Sequence, residues 1–299
     1  MILEALPGIQ SGPSTQAAAI ILSVENPSDH TWRLVLSPPA DGPTNMALDE
    51  SILEAVAAGE SPPTLRLYAW NPPCLSLGHA QSVADIDMAR LQQRGWDLVR
   101  RPTGGRAILH TDELTYAIMA PASNPHVAGG VLPSYRHLSQ GLVRGLQHLG
   151  LGIEVASPEP LSPEARENPI CFEVPSAYEI EAAGRKLIGS AQLRRQGAVL
   201  QHGTLPLWGD LTRICDALVF EDEAARASAR AKLRQRAATV EELAGRPISW
   251  QEAAEAFVAG FREALGLDLV PEEIKPSERS RAEALRAERY AHSAWTARV

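Results

Sequence analysis

The chain has 299 residues, 44% of them hydrophobic and 21% charged, a balance that suits one large folded domain or two modest ones and argues against wholesale disorder. Its formal net charge of −8 and the want of a basic stripe argue against nucleic-acid binding, and no segment reads as long and apolar enough to span a membrane. Three widely spaced cysteines, Cys74, Cys171 and Cys215, suggest neither a disulfide framework nor a metal-type pair, and with no signal peptide at the start they point to the reducing cytoplasm.

Residues 1–30, rich in Pro, Ser, Gly and Ala, read as an extension with an edge strand at 19–24. An α/β domain is expected over 31–245, followed by a helical segment, 246–299, packed on it. Trp32, Leu34 and Leu36 alternate as a strand. Asn45 or Thr44 then caps a helix that puts Leu48, Ile52, Leu53 and Val56 on one face. Residues 65–70 and 75–78 read as strands, 83–95 as a helix ended by Gly95, and 97–100 and 114–120 as strands again. Ser134 caps a helix with Leu138, Leu142, Leu146 and Leu149 on its apolar side. Residues 151–176 hold five prolines and form a long irregular loop, a kind of segment that often carries function. Three strand-like runs, 177–182, 186–195 and 198–207, are separated by Ala183-Gly184 and Gln196-Gly197, which makes them an antiparallel meander. Helices are expected over 221–244, 250–265 and 277–291.

Four stretches offer chemistry. The first runs Arg100-Arg101-Pro102-Thr103-Gly104-Gly105-Arg106 and is followed by His110. Paired glycines bring backbone N–H groups close to a ligand, and flanking arginines add charged donors; a tight solvated turn explains the same residues. The second is the proline-bounded loop around Cys171, which either presents a thiol to a cleft or buries an inert one. Cys74 and Cys215, in apolar surroundings, read as inert. The third covers residues 184–192. Strand alternation puts Lys186, Ile188 and Ser190 on one face and Leu187 and Gly189 on the other, and the small residues Gly189, Ser190 and Ala191 leave room for a ligand chain. The fourth holds His202, a base or a core histidine, and His79 carries the same two readings. Arg100, Arg101 and Arg106, or Arg194 and Arg195, offer a basic patch for an acidic partner.

Together these stretches resemble the biotin and lipoate protein ligase superfamily. The resemblance rests on residues 44–50 (Thr-Asn-Met-Ala-Leu-Asp-Glu), 101–105 (Arg-Pro-Thr-Gly-Gly) through His110, and 184–203, in the family's order, with a weaker echo at 290–295. It implies an α/β fold with a mixed, largely antiparallel sheet flanked by helices. One branch is more similar still: the octanoyltransferases that modify the glycine cleavage H protein. Their pattern Cys-Phe-x-x-Pro-Ser-x-Tyr-Glu falls on 171–179, and Gly-x-Lys-x-x-Gly-Ser-Ala-Gln falls on 184–192. Arg185 stands where a lysine is also common, and the N-terminal extension is long; neither departure touches Cys171 or Lys186.

The resemblance implies that Cys171 carries an acyl thioester and that Lys186 lowers its pKa. Arg101, Thr103, Gly104, Gly105, His110, Gly189, Ser190, Ala191 and His202 would bind the substrate. The implied donor is octanoyl acyl carrier protein, and the implied acceptor is the glycine cleavage H protein or another lipoyl domain. No cofactor or metal is expected. A free thiol ionises at about 8.5, so a nearby ammonium is needed to raise its thiolate fraction at neutral pH. Two other readings stay open: an ATP-dependent lipoate ligase, in which Lys186 contacts an acyl-adenylate, and a non-catalytic acyl-binding protein. A transferase moving the chain between carrier proteins would use the same cysteine chemistry.

Overall fold

A computed structural model describes residues 29–155 and 180–299. The edge strand expected at 19–24 and most of the loop expected at 151–176, Cys171 included, lie outside the described residues. In chain order the elements are β1 (Thr31–Leu36), α1 (Gly42–Ala57), β2 (Thr64–Tyr68), β3 (Cys74–Leu77), α2 (Met88–Gln93), β4 (Asp97–Arg100), β5 (Ile108–His110) and β6 (Glu113–Pro121). They continue with α3 (Val131–His148), β7 (Glu154–Val155), β8 (Ile180–Ala182), β9 (Arg185–Arg195), β10 (Ala198–Pro206), α4 (Glu223–Arg236), α5 (Val240–Ala244), α6 (Trp250–Leu265), β11 (Asp268–Pro271), α7 (Pro276–Leu285) and α8 (Ser293–Thr296).

Eight strands form one sheet in the order β11-β1-β2-β6-β10-β9-β8-β7, and three form a second in the order β4-β3-β5. In the large sheet β1 runs parallel to β11 and β2, and every other pair is antiparallel. The expected mixed, largely antiparallel α/β architecture is therefore the observed one. The meander of β8, β9 and β10 turns at Ala183-Gly184 and Gln196-Gly197, where both residues of each pair have positive φ, as two-residue hairpins of this twist require.

Several helix boundaries differ from the sequence expectation. The cap of α1 is Asp41, whose carboxylate accepts from Thr44 N at 2.8 Å; Asn45 lies inside the helix and bonds the carbonyls of Ala40 and Ala69 instead. Gly130 precedes α3, and Ser134 spends its hydroxyl on carbonyls in the first turn, including Gly130 O. The helix expected over 83–95 is split: a short 3-10 turn ends at Ile86 before Asp87 caps α2. The helix expected over 221–244 breaks at residues 237–239 because Thr239 starts a new one, α5.

The large sheet is covered on both faces. On one, α3 and α6 pack through Leu138, Leu142, Leu146, Phe257 and Phe261 onto Tyr116, Ile118, Val199 and Leu205. The two helices cross closely because Gly141, Gly145 and Gly260 carry no side chain at the crossing; a Cβ on any of them would overlap the opposite helix. On the other face α1 covers Tyr68, Ala117, Met119 and Leu200, and α7 packs against α1. The carboxylate of Glu278 on α7 takes both ends of the buried Arg33 guanidinium, at 2.7 and 2.9 Å, and a bond from Ser61. That bidentate pair anchors the C-terminal segment to β1. Among the described residues no helix is long and apolar enough to cross a membrane, and no group of His, Cys, Asp and Glu is arranged to hold a metal ion.

Candidate active site

The two sheets and α1 enclose a narrow cleft of about 410 Å³, counted out to its open mouth. Its floor is Met46, Tyr68 and Trp70, all buried, with Ile108 and Thr115 beside them; Gly105, Ser190 and Ala191 form a partly open rim. Of the residues expected to bind substrate, Arg101, Gly105, His110, Gly189, Ser190, Ala191 and His202 border this cleft. Thr103 stands behind His202, and Gly104 sits in the exposed turn with its carbonyl facing Arg101.

Two carboxylate–imidazole–hydroxyl chains flank the cleft. In the first, Asp49 on α1 faces His202 on β10, with Oδ2 to Nδ1 at 3.2 Å, and His202 Nε2 meets Thr103 Oγ1 at 2.7 Å. Asp49 also accepts from Arg66 at 2.7 Å and from the Tyr68 hydroxyl at 2.9 Å. Burial works to raise the Asp49 carboxyl, but Arg66 and His202 outweigh it, so Asp49 ionises below its ordinary range. The ionised carboxylate puts the imidazole proton on Nδ1 and leaves Nε2 to accept from Thr103. Burial holds the His202 pKa below the ordinary value despite Asp49, so the ring is neutral. Burial and the charge of Asp49 push the Tyr68 phenol well up.

The second chain is Glu113–His110–Ser76, with contacts of 2.7 Å at both imidazole nitrogens. Trp70 stacks flat on His110, ring centres 4.0 Å apart, and its indole N–H donates to Thr115, which in turn donates to Glu113. Arg101 closes the network. Its guanidinium donates to Ser76 O and Oγ and to the carbonyls of Gly104 and Arg106, so it braces the glycine turn from below. Gly78 presses on the same turn: a Cβ there would overlap Gly105 O.

Lys186 stands on a different face from the one simple alternation assigns. Ile180 pairs with Ile188, but Glu181 pairs with Lys186, so one extra residue of β9 bulges between them. Leu187 and Ile188 therefore both enter the core beneath α3 and α6. Ile180 and Ala182 share that core, so the intervening Glu181, and Lys186 opposite it, take the other face, the one that carries Gly189, Ala191 and His202 toward the cleft. Lys186 is 3% exposed, and its carbonyl accepts from Ala238 N at 3.1 Å, which ties the end of α4 to this strand. The Ser190 side chain does face away, bonding Tyr116 at 2.7 Å. Cys171 lies outside the described residues.

Of the arginines expected in surface patches, Arg100 and Arg101 are buried, while Arg106, Arg194 and Arg195 are half-buried. Arg100 is fully buried and holds the carbonyls of Gly78, His79, Gln81 and Thr296. Arg101 is buried under the turn. Arg194 binds the carbonyls of Val127 and Gly130, and Arg195 pairs with the buried carboxylate of Glu50. A guanidinium carries five donors in a rigid fork, so in this fold it serves carbonyl clusters where a surface patch was expected. His79 lies outside the cleft, edge-on to Trp295 and bonded to Arg298. Cys74 and Cys215 are buried, and burial raises the Cys74 thiol well above the usual range, in keeping with the inert reading.

The sequence matches the lipoyl protein ligase A/B catalytic domain over residues 41–262, a span that takes in both imidazole chains, the glycine turn and the meander. The chain belongs to that family. Octanoyltransferase LipM of Kyrpidia tusciae is 42% identical over 272 residues, covering 90% of this chain and 99% of that protein. Octanoyltransferase LipM of Moorella thermoacetica is 42% identical over 90% of this chain and 98% of its own, and the Staphylococcus aureus protein of that name is 35% identical over 89% and 98%. With likeness of this order along nearly the whole chain, the family member described here is an octanoyltransferase. The fold also matches a bipartite lipoate protein ligase from Thermoplasma acidophilum, described with its E2 lipoyl domain, at a TM-score of 0.75 and 25% identity over 89% of this chain and 96% of that one.

Within this octanoyltransferase, Ser76 and Thr204, which border the cleft, and Asp49, Arg66 and Glu113, which hold its lining, are residues that sequence reasoning did not single out. Asp49 falls inside the block 44–50 that carries the family resemblance, and Glu113 follows His110 by three residues; both offered a signal. Arg66, Ser76 and Thr204 offered none, because each reads as an ordinary strand residue until the partner strands are known.

Proposed function

We propose that the enzyme takes an octanoyl group from the thioester of an acyl carrier protein onto Cys171 and passes it to a lysine of a lipoyl domain, such as that of the glycine cleavage H protein. The observation that supports this reading is the register shift in the β8–β9 ladder, which turns Lys186 to the same sheet face as Gly189 and His202. Lys186 is 3% exposed on that face, and an ammonium there would lower the pKa of a thiol brought to it within about 4–6 Å. The Cys171 thiolate attacks the donor thioester carbonyl, and collapse of the tetrahedral adduct expels the carrier's thiolate, which takes up a proton. A neutral lysine amine of the acceptor then attacks the Cys171 thioester and loses its proton. Collapse forms the amide and returns the thiolate. The second step runs from thioester to amide, so no nucleotide is consumed. The buried floor of Met46, Tyr68 and Trp70 suits a saturated chain, each buried methylene contributing about 0.8 kcal/mol.

Intact-mass measurement after mixing with octanoyl carrier protein, without ATP, tests the proposal. An octanoyl adduct that hydroxylamine removes and that Cys171→Ser prevents is the expected result. Acceptor modification only with ATP and free octanoate would instead make the protein a ligase. No modification under either condition would make it an acyl-binding protein.

A further inference from the structure

Thr204 lies on β10 directly opposite Gly189 of β9, two residues beyond His202 and on the same face of the sheet. It borders the cleft and is 1% exposed. Its hydroxyl is buried from solvent and makes no hydrogen bond. Of the three buried side-chain polar atoms without a partner among the described residues, only Thr204 Oγ1 belongs to a residue that borders the cleft. Its neighbours contrast with it: Thr103, Thr115, Ser76 and Ser190 all have hydroxyl partners within the protein. Leaving a buried hydroxyl unpaired carries a desolvation cost that a bound group can relieve.

The chemistry of the ligand says which atom relieves it. This step rests on the octanoyl-thioester reading above. An octanoyl chain is hydrocarbon except at its carbonyl, so the carbonyl oxygen is the one strong acceptor that an octanoyl thioester brings into the cleft. Along β9, Lys186 is three residues from Gly189, roughly 10 Å of strand before the bulge shortens it. A carbonyl seated over Gly189 lies beside Thr204 on the paired strand, with Lys186 farther along β9, while the rest of the chain runs toward His202 and the apolar floor.

We infer that Thr204 is a catalytic residue: its hydroxyl donates to the thioester carbonyl oxygen and holds the negative charge that collects there. When a nucleophile attacks, the carbonyl π pair moves onto oxygen. When the adduct collapses, the pair returns and a thiolate leaves. The same oxygen is charged in both half-reactions, so Thr204 serves both. A donor aimed at that oxygen typically contributes a factor of about 10²–10³ in rate.

The test compares Thr204→Val, which keeps the shape and removes the hydroxyl, with Thr204→Ser, which keeps the hydroxyl. Single-turnover mass measurements follow Cys171 acylation and its discharge to the acceptor. In Thr204→Val both rates are expected to fall by about 10²-fold or more, with the KM for each carrier within about threefold of wild type. Its melting temperature should equal or exceed that of wild type, because an unpaired buried hydroxyl has been removed. Thr204→Ser should recover most of the rate. Wild-type rates in Thr204→Val, or loss of rate in Thr204→Ser equal to that in Thr204→Val, would overturn the inference while leaving the thioester reading intact. If wild type forms no octanoyl adduct, the thioester reading fails first and this inference falls with it.

Discussion

Asp49 Oδ2 and His202 Nδ1 meet at 3.2 Å across 153 residues of sequence, and through that contact the first helix is tied to the strand that walls the cleft. Arg66 completes the arrangement with a 2.7 Å bond to the other carboxylate oxygen and a 2.8 Å bond to Asn45 Oδ1. Removing the carboxylate would leave the fully buried guanidinium without its counter-charge. Asp49→Ala is therefore expected to lose about 3–5 kcal/mol of stability, measured by chemical denaturation, whereas Tyr68→Phe removes one donor and should cost about 1–2 kcal/mol.

The same pair sets a pH dependence. Burial depresses the folded-state pKa of His202, so below its unfolded value of about 6.5 the unfolded chain binds a proton that the folded chain refuses. The stabilising contribution is complete above about pH 6.5 and is lost as pH falls toward the folded pKa. The Asp49 carboxyl has the same sign at lower pH: its contribution is complete above about 3.9 and is lost as pH falls through the depressed folded value. Melting temperature should fall as pH drops below about 6.5, and His202→Gln should flatten that part of the profile.

Arg101 is expected to act on the candidate site through the glycine turn it braces. A lysine has the charge but not the fork, and it cannot serve Ser76, Gly104 and Arg106 together. Arg101→Lys is expected to lower kcat/KM by about tenfold or more with a loss of about 1–3 kcal/mol in stability. A steady-state assay with both carriers, read beside a melting curve, checks both numbers.

Lys186 is expected to act on the nucleophile. The rate at which iodoacetamide alkylates Cys171 reports its thiolate fraction, and in wild type it should rise with a midpoint below about 8.5. Lys186→Met should move that midpoint upward, because the opposing charge is gone. An unmoved midpoint would count against the pairing.

Much of the architecture was legible because strands and hairpins carry local signals. The alternation at β1, the Gly-bearing two-residue turns of the meander and the leucine stripe of α3 each mark their element without help from elsewhere. Helix starts were harder. Asp41, Thr44 and Asn45 are all good capping residues, and only the packing of Asn45 onto the carbonyls of Ala40 and Ala69 leaves Asp41 as the cap. The arginines misled for a related reason: a guanidinium looks the same in sequence whether it meets solvent or, like Arg100, a ring of buried carbonyls.

The sequence by itself determined which residue types the site can use and in what order. Its spaced blocks placed Arg101, His110, Gly189 and His202 together before any coordinates. Tertiary structure alone decided what each touches. The face of Lys186 depends on one extra residue in the β8–β9 ladder, and strand alternation cannot register a bulge that exists only relative to a partner strand. Asp49 with His202, Ser76 with His110 and the unpaired hydroxyl of Thr204 depend likewise on which strands lie side by side. Hydrogen bonds reach about 3 Å, so partners distant in sequence are defined only after the chain has folded.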